Sequence, residues 1–256
     1  MERDHWAVPI GEDHMKREYY KWNSNYLERD MELLVFGHAG DPVLFFPTRT
    51  ARFYDYEDWQ VIDALRKKIE SGSIQVYCLD SIDRESFYAK DLHPAQRIHR
   101  HLDYEKYILF EVLPLIRENN PRPTIIAAGC SLGAYHAANL AFKYPNLFHK
   151  MVGLSGRYDL TTCMEYFDDL FDGYIDENIY YNMPGRFIPN LTDSQLIGQL
   201  KTMEIIFVVG EKDVFLENNK AISNALWEKG IWNALHLWDG ESHKARYWRH
   251  MVQLYL

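Results

Sequence analysis

The chain has 256 residues, 47% of them hydrophobic and 25% charged, proportions that suit a packed domain and exclude a disordered one. Its formal charge is −9 at pH 7, and no basic run is long enough to track phosphates, so a nucleic-acid partner is not expected. Cys78, Cys130 and Cys163 have neither paired nor metal-ligand spacing, which predicts reduced thiols in a cytoplasmic protein with no metal or organic cofactor.

Residues 1–10 contain Glu2, Arg3, Asp4 and His5 where a leader would be apolar. No later stretch approaches the roughly 18 apolar residues that cross a bilayer, so a soluble chain without a membrane partner is expected. Alternation over residues 18–22 and 31–37 reads as sheet. The run 42–46 includes Val43-Leu44-Phe45-Phe46, apolar enough for a strand buried on both faces. Gly40-Asp41-Pro42 between the last two has hairpin-turn chemistry. Helical spacing follows over 58–70, then a strand at 75–79 and a helix over 103–118 that stops before Pro121. A second buried strand, 124–128, precedes a helix at 132–143 closed by Tyr144-Pro145. Strands at 151–154 and 205–209, a helix at 217–229, a strand at 234–238 and a helix at 244–256 complete the series.

Such alternation predicts an α/β fold over 1–256 as one domain, its mostly parallel sheet covered by helices on both faces. Residues 158–201 break the rhythm with acidic and aromatic side chains, including Tyr166, Phe167, Phe171, Tyr180 and Tyr181. They predict a helical insertion above the sheet, either a cap over a site or a packed excursion. Aromatic residues make up 15% of the chain, which suits a cleft wall, a core or contacts between copies in a homo-oligomer.

One motif carries chemistry. Gly129-Cys130-Ser131-Leu132-Gly133 is a G-x-S-x-G sequence between a predicted strand and a predicted helix, the order that a nucleophile elbow requires. A sharp turn projects the serine hydroxyl above the sheet, and the following helix N-terminus offers N–H groups to developing negative charge. Leu132 is the expected first oxyanion donor. Serine is a weak nucleophile without a base. The order serine, acid, histidine singles out His243, in the polar loop Asp239-Gly240-Glu241-Ser242-His243 after the last strand. His136, His236 and His250 lie within predicted helices or strands and lack that reach. Asp213, on the loop after the strand 205–209, is the expected acid, with Glu211 and Asp239 as rivals.

These residues resemble the "Putative esterase" family of α/β-hydrolases, which includes esterase D-type enzymes, feruloyl esterases and mycolyltransferases. Phe46-Pro47-Thr48, His93-Pro94-Ala95-Gln96-Arg97, Tyr144-Pro145-Asn146-Leu147-Phe148 and Leu154-Ser155-Gly156 extend the match over residues 43–248. The resemblance implies an α/β-hydrolase fold and a serine esterase acting on a small-molecule ester through an acyl-enzyme. Many members carry glycines where this chain reads Pro47-Thr48-Arg49-Thr50-Ala51-Arg52. Family position there implies the Arg49 N–H as second oxyanion donor, with Thr48 the alternative. The Arg49 and Arg52 side chains suit either a polar or anionic substrate group or salt bridges to Asp55 or Glu57. An acyltransferase would use the same groups, and a non-catalytic hydrolase-fold binding protein would need none of them.

Overall fold

Period-two alternation sorts each central strand into two cores. In the strand Asp41–Phe46, Val43 and Phe45 join one apolar cluster while Leu44 and Phe46 join the other, all four fully buried. That is why the run reads as continuously apolar: both faces are covered, and each such side chain contributes about 1.5–3 kcal/mol by leaving water. Helices Leu113–Asn119, Leu132–Lys143 and Leu216–Glu228 cover the Leu44 face. The chain at 56–69 and helix Ala245–Tyr255 cover the Val43 face.

The computed structural model describes residues 4–7 and 15–256. Its strands are β1 (Asp4–Ala7), β2 (Arg17–Ser24), β3 (Arg29–Phe36), β4 (Asp41–Phe46) and β5 (Ile74–Leu79), then β6 (Ile125–Cys130), β7 (Phe148–Leu154), β8 (Glu204–Gly210) and β9 (Ala234–Trp238). They form one sheet in the order β1-β2-β3-β5-β4-β6-β7-β8-β9. The β1–β2, β2–β3 and β3–β5 pairings are antiparallel, and every pairing from β5–β4 to β8–β9 is parallel. This is the expected α/β-hydrolase architecture, with the C-terminal ends of β4, β6, β7, β8 and β9 along one edge. The polar stretch 1–10 lies outside the described residues except for the backbone of β1. Among the described residues no helix is long and apolar enough to cross a membrane.

Three local expectations need correction. Gly40-Asp41-Pro42 does not close a hairpin, because β5 sits between β3 and β4. Gly40 instead turns at φ +94° against the backbone of Gly72 and Ser73, where a Cβ would collide, and Asp41 N–H donates to Ser73 at 2.9 Å. The helix expected over 58–70 is three short pieces, Asp55–Asp58, Val61–Ala64 and Arg66–Glu70, broken where Gln60 adopts a left-handed φ of 59°. The helix expected over 103–118 begins earlier. His93 and Gln96 cap the segment Pro94–Tyr107, and a π-helical stretch, Ile108–Val112, leads into Leu113–Asn119. Pro114 has no N–H to donate and a ring that crowds the preceding turn, and the widened stretch stands just ahead of it.

The insertion contains three short helices, Glu177–Tyr180, Pro184–Phe187 and Ser194–Leu200; the rest is irregular chain. Leu160, Leu170, Phe171 and Ile179 pack with Phe87 and Leu132 in a separate small core. Arg97, almost wholly buried, donates to the carbonyls of Leu92 and Leu170 and to the Asp172 carboxylate, tying this segment to the helix after the capping box.

Candidate active site

The elbow follows from close packing. A Cβ on Gly129 would strike the Gly133 backbone, and one on Gly133 would strike the Phe46 carbonyl. With both absent, strand β6 and the helix Leu132–Lys143 meet at a turn whose Ser131 has φ 56° and ψ −120°. Such a left-handed backbone is unfavourable for serine and persists because its surroundings fix it. The Ser131 N–H donates to Leu154 at 2.8 Å, and the Cys130 N–H donates to the Tyr56 hydroxyl at 3.1 Å. Tyr56 in turn donates to the Phe46 carbonyl at 2.8 Å, so one buried phenol joins the ends of β4 and β6. Burial holds the Tyr56 hydroxyl and the Cys130 thiol well above their usual pKa ranges, keeping both neutral.

His243 reaches this hydroxyl from near the other end of the chain. Its Nε2 lies 3.0 Å from Ser131 Oγ and its Nδ1 lies 3.0 Å from Asp213 Oδ2. The Asp213 side chain is fully buried, and its Oδ1 accepts the Phe215 N–H at 3.0 Å. Gly210 permits the approach, because a Cβ there would collide with the Gly240 and Glu241 backbone. Lys212 N–H donates to the Gly240 carbonyl at 2.9 Å and fastens the acid loop to the histidine loop. Phe215 and Trp248 stand edge-on to the imidazole. The rivals Glu211 and Asp239 are both exposed. His136 is buried 3.4 Å from Asp83, while His236 and His250 lie on the surface.

Facing the elbow is the loop after β4. The N–H groups of Leu132, Thr48 and Arg49 have no protein acceptor among the described residues, and all three residues line the same cavity as Ser131 and His243. Thr50 takes a left-handed φ of 54°, and its N–H donates to Asp83 Oδ2 at 2.8 Å. Asp83 is 2% exposed, and its other oxygen faces His136. The loop thus contains no glycine and is held by a buried carboxylate. Arg52 departs from expectation: its side chain bonds Asp80 and Glu32, while Glu57 pairs with Arg17. Only its main-chain N–H meets Asp55.

The cavity measures about 230 Å³. Leu160 and Phe167 of the insertion form part of its wall, with Tyr88, Arg157 and Trp248. Burial, reinforced by the Asp83 charge, pushes the Tyr88 hydroxyl up to about 12. Tyr56, Asp83 and Arg157 were not foreseen from the sequence. Arg157 directly follows Leu154-Ser155-Gly156 at the C-terminal end of a parallel strand, a position that by itself marks a site residue. Among the described residues no group of three or more His, Cys, Asp or Glu side chains is placed to hold a metal.

Comparison with known proteins decides the family. The profile of the family described as "Putative esterase" matches residues 24–251. The chain belongs to that family. It is a carboxylic-ester hydrolase of the α/β-hydrolase fold. The esterase is similar in structure to a ferulic acid esterase (14% identity, TM-score 0.72, covering 94% of this chain and 96% of the other). It is also similar to an S-formylglutathione hydrolase from Agrobacterium tumefaciens (13%, TM-score 0.76, covering 96% and 95%). A fluorophosphonate-binding serine hydrolase of Staphylococcus aureus is a further match (15%, TM-score 0.64, covering 94% and 96%). At these identities the likeness is one of fold. No curated protein sequence matches the esterase.

Proposed function

We propose that the esterase cleaves a small-molecule ester by two-step acyl transfer through Ser131. The observation that carries this reading is the imidazole of His243 standing 3.0 Å from both a serine hydroxyl and a buried carboxylate. His243 Nε2 takes the Ser131 proton as Oγ attacks the ester carbonyl. Asp213, accepting from Nδ1–H, fixes the tautomer and stabilises the imidazolium. The tetrahedral oxyanion receives the N–H groups of Leu132 and Arg49, neither of which has a protein acceptor to give up. His243 then protonates the departing alcohol, and water activated by the same nitrogen releases the acid.

Phe167 and Leu160 make the insertion a wall of the acyl or alcohol pocket, in keeping with a cap. A fluorophosphonate probe should label Ser131 stoichiometrically, and Ser131→Ala should abolish labelling and lower ester turnover by about 10³-fold or more. A folded Ser131→Ala protein that keeps its turnover would overturn the assignment.

A further inference from the structure

Two arginines line the cavity without a carboxylate partner among the described residues. Arg157 is 4% exposed, yet no acidic side chain among the described residues pairs with it. Its Nη2 donates to the carbonyls of Leu160, Thr162 and Asp168. Its Nε is buried with no acceptor, and its Nη1 makes no hydrogen bond among the described residues. Carboxylates are close by and engaged elsewhere. Asp159 serves Thr161 and Arg186, and Asp169 caps the N–H groups of Phe171 and Gly173. Burying a cation without an anion costs several kcal/mol, and proteins ordinarily pair such a group.

Arg49 lines the same cavity. Its guanidinium carbon lies 6.0 Å from the Tyr88 ring centre and 5.8 Å from that of Phe167, while that of Arg157 lies 5.9 Å from the same Phe167 ring. The shared aromatic face orients two cations beside the hydroxyl without neutralising either. Arg17, Arg52, Arg97 and Arg186, by contrast, each hold a carboxylate. In a chain of net charge −9, two guanidiniums without an ion-pair partner thus line the cavity that holds Ser131.

We propose that the ester substrate carries an anionic group, a carboxylate or its equivalent, which the Arg157 and Arg49 guanidiniums receive while the ester carbonyl faces Ser131. The inference rests on the Ser131 reading and specifies its substrate class. The anion supplies the missing acceptor for Arg157 Nη1, and Arg49 closes on it from the solvent side. A carboxylate on the acyl chain and one on the alcohol present the same chemistry.

Two matched pairs separate those sources: mono-4-nitrophenyl adipate against 4-nitrophenyl hexanoate, and 4-acetoxybenzoate against its methyl ester. In at least one pair the anionic member should have the higher kcat/KM, by about tenfold or more, as charge-assisted hydrogen bonds imply. The favoured pair reports which side of the ester carries the charge. That ratio should fall toward one in Arg49→Gln and recover partly in Arg49→Lys. Arg157→Gln should lower it too, and if that variant fails to fold the Arg49 series still decides. Neutral esters turned over as well as anionic ones in both pairs would overturn the proposal alone, as would a ratio unchanged by Arg49→Gln. Failure to hydrolyse any of the four esters would remove the Ser131 reading, and this inference with it.

Discussion

The two sides of the proposed oxyanion site are held by different means. On one side, the elbow from Gly129 to Gly133 is fixed by the absence of atoms, because two missing Cβ groups let β6 pack against its own helix and against Phe46. On the other, the loop from Pro47 to Arg52 is fixed by bonds made to it. Asp83 takes the Thr50 N–H, Ala51 N–H closes back on Thr48, and Arg52 N–H meets Asp55. Contact packing tolerates almost no displacement, since backbone cannot interpenetrate. A hydrogen-bonded loop can yield by fractions of an ångström and recover. The elbow is therefore the rigid jaw of the site and the loop the adjustable one.

The harshest way to break this contrast is Gly133→Ala. The added methyl would press on the Phe46 and Pro47 carbonyls and push the two jaws apart. We expect kcat to fall about 10²- to 10³-fold, as when one oxyanion donor is lost, together with about 1–3 kcal/mol of stability. Steady-state kinetics and thermal unfolding would measure both, and a native-like kcat would mean that the jaws are not in contact. Asp83→Ala acts on the loop alone. It should lower kcat about 10- to 100-fold with little change in KM, and Asp83→Asn, which keeps an oxygen acceptor for Thr50, should restore most of the rate. Equal losses in both variants would show that charge matters there and the hydrogen bond does not. The smallest effect belongs to Tyr56→Phe, which removes the hydroxyl between β4 and β6. A stability loss of about 1–3 kcal/mol by denaturant titration is expected, with kcat within severalfold of native.

The same contrast explains what was legible in the sequence. The elbow reveals itself because its constraint is steric and local: glycines at fixed spacing around a serine, between a strand and a helix. Asp213 and His243 are legible through chain order and through loops after the last two strands. The loop after β4 is opaque, because its support comes from Asp83, thirty-three residues from Thr50 in sequence and brought close only by the parallel pairing of β4 with β5. Alternation located the strands well but not their neighbours. Nothing in Gly40-Asp41-Pro42 says that β5 will slip between β3 and β4. Helix breaks were missed for a related reason: Gln60 adopts a left-handed backbone that its side chain does not advertise.

Ser131 and His243 are 112 positions apart, and Asp213 lies between them after β8. A chain made as far as the loop after β8 contains the residues of the elbow and the carboxylate. The hydroxyl still has no proton acceptor until β9 joins the sheet edge and its loop swings over Gly210. On the proposed mechanism, acyl transfer therefore depends on the last strand and the loop that follows it being in place.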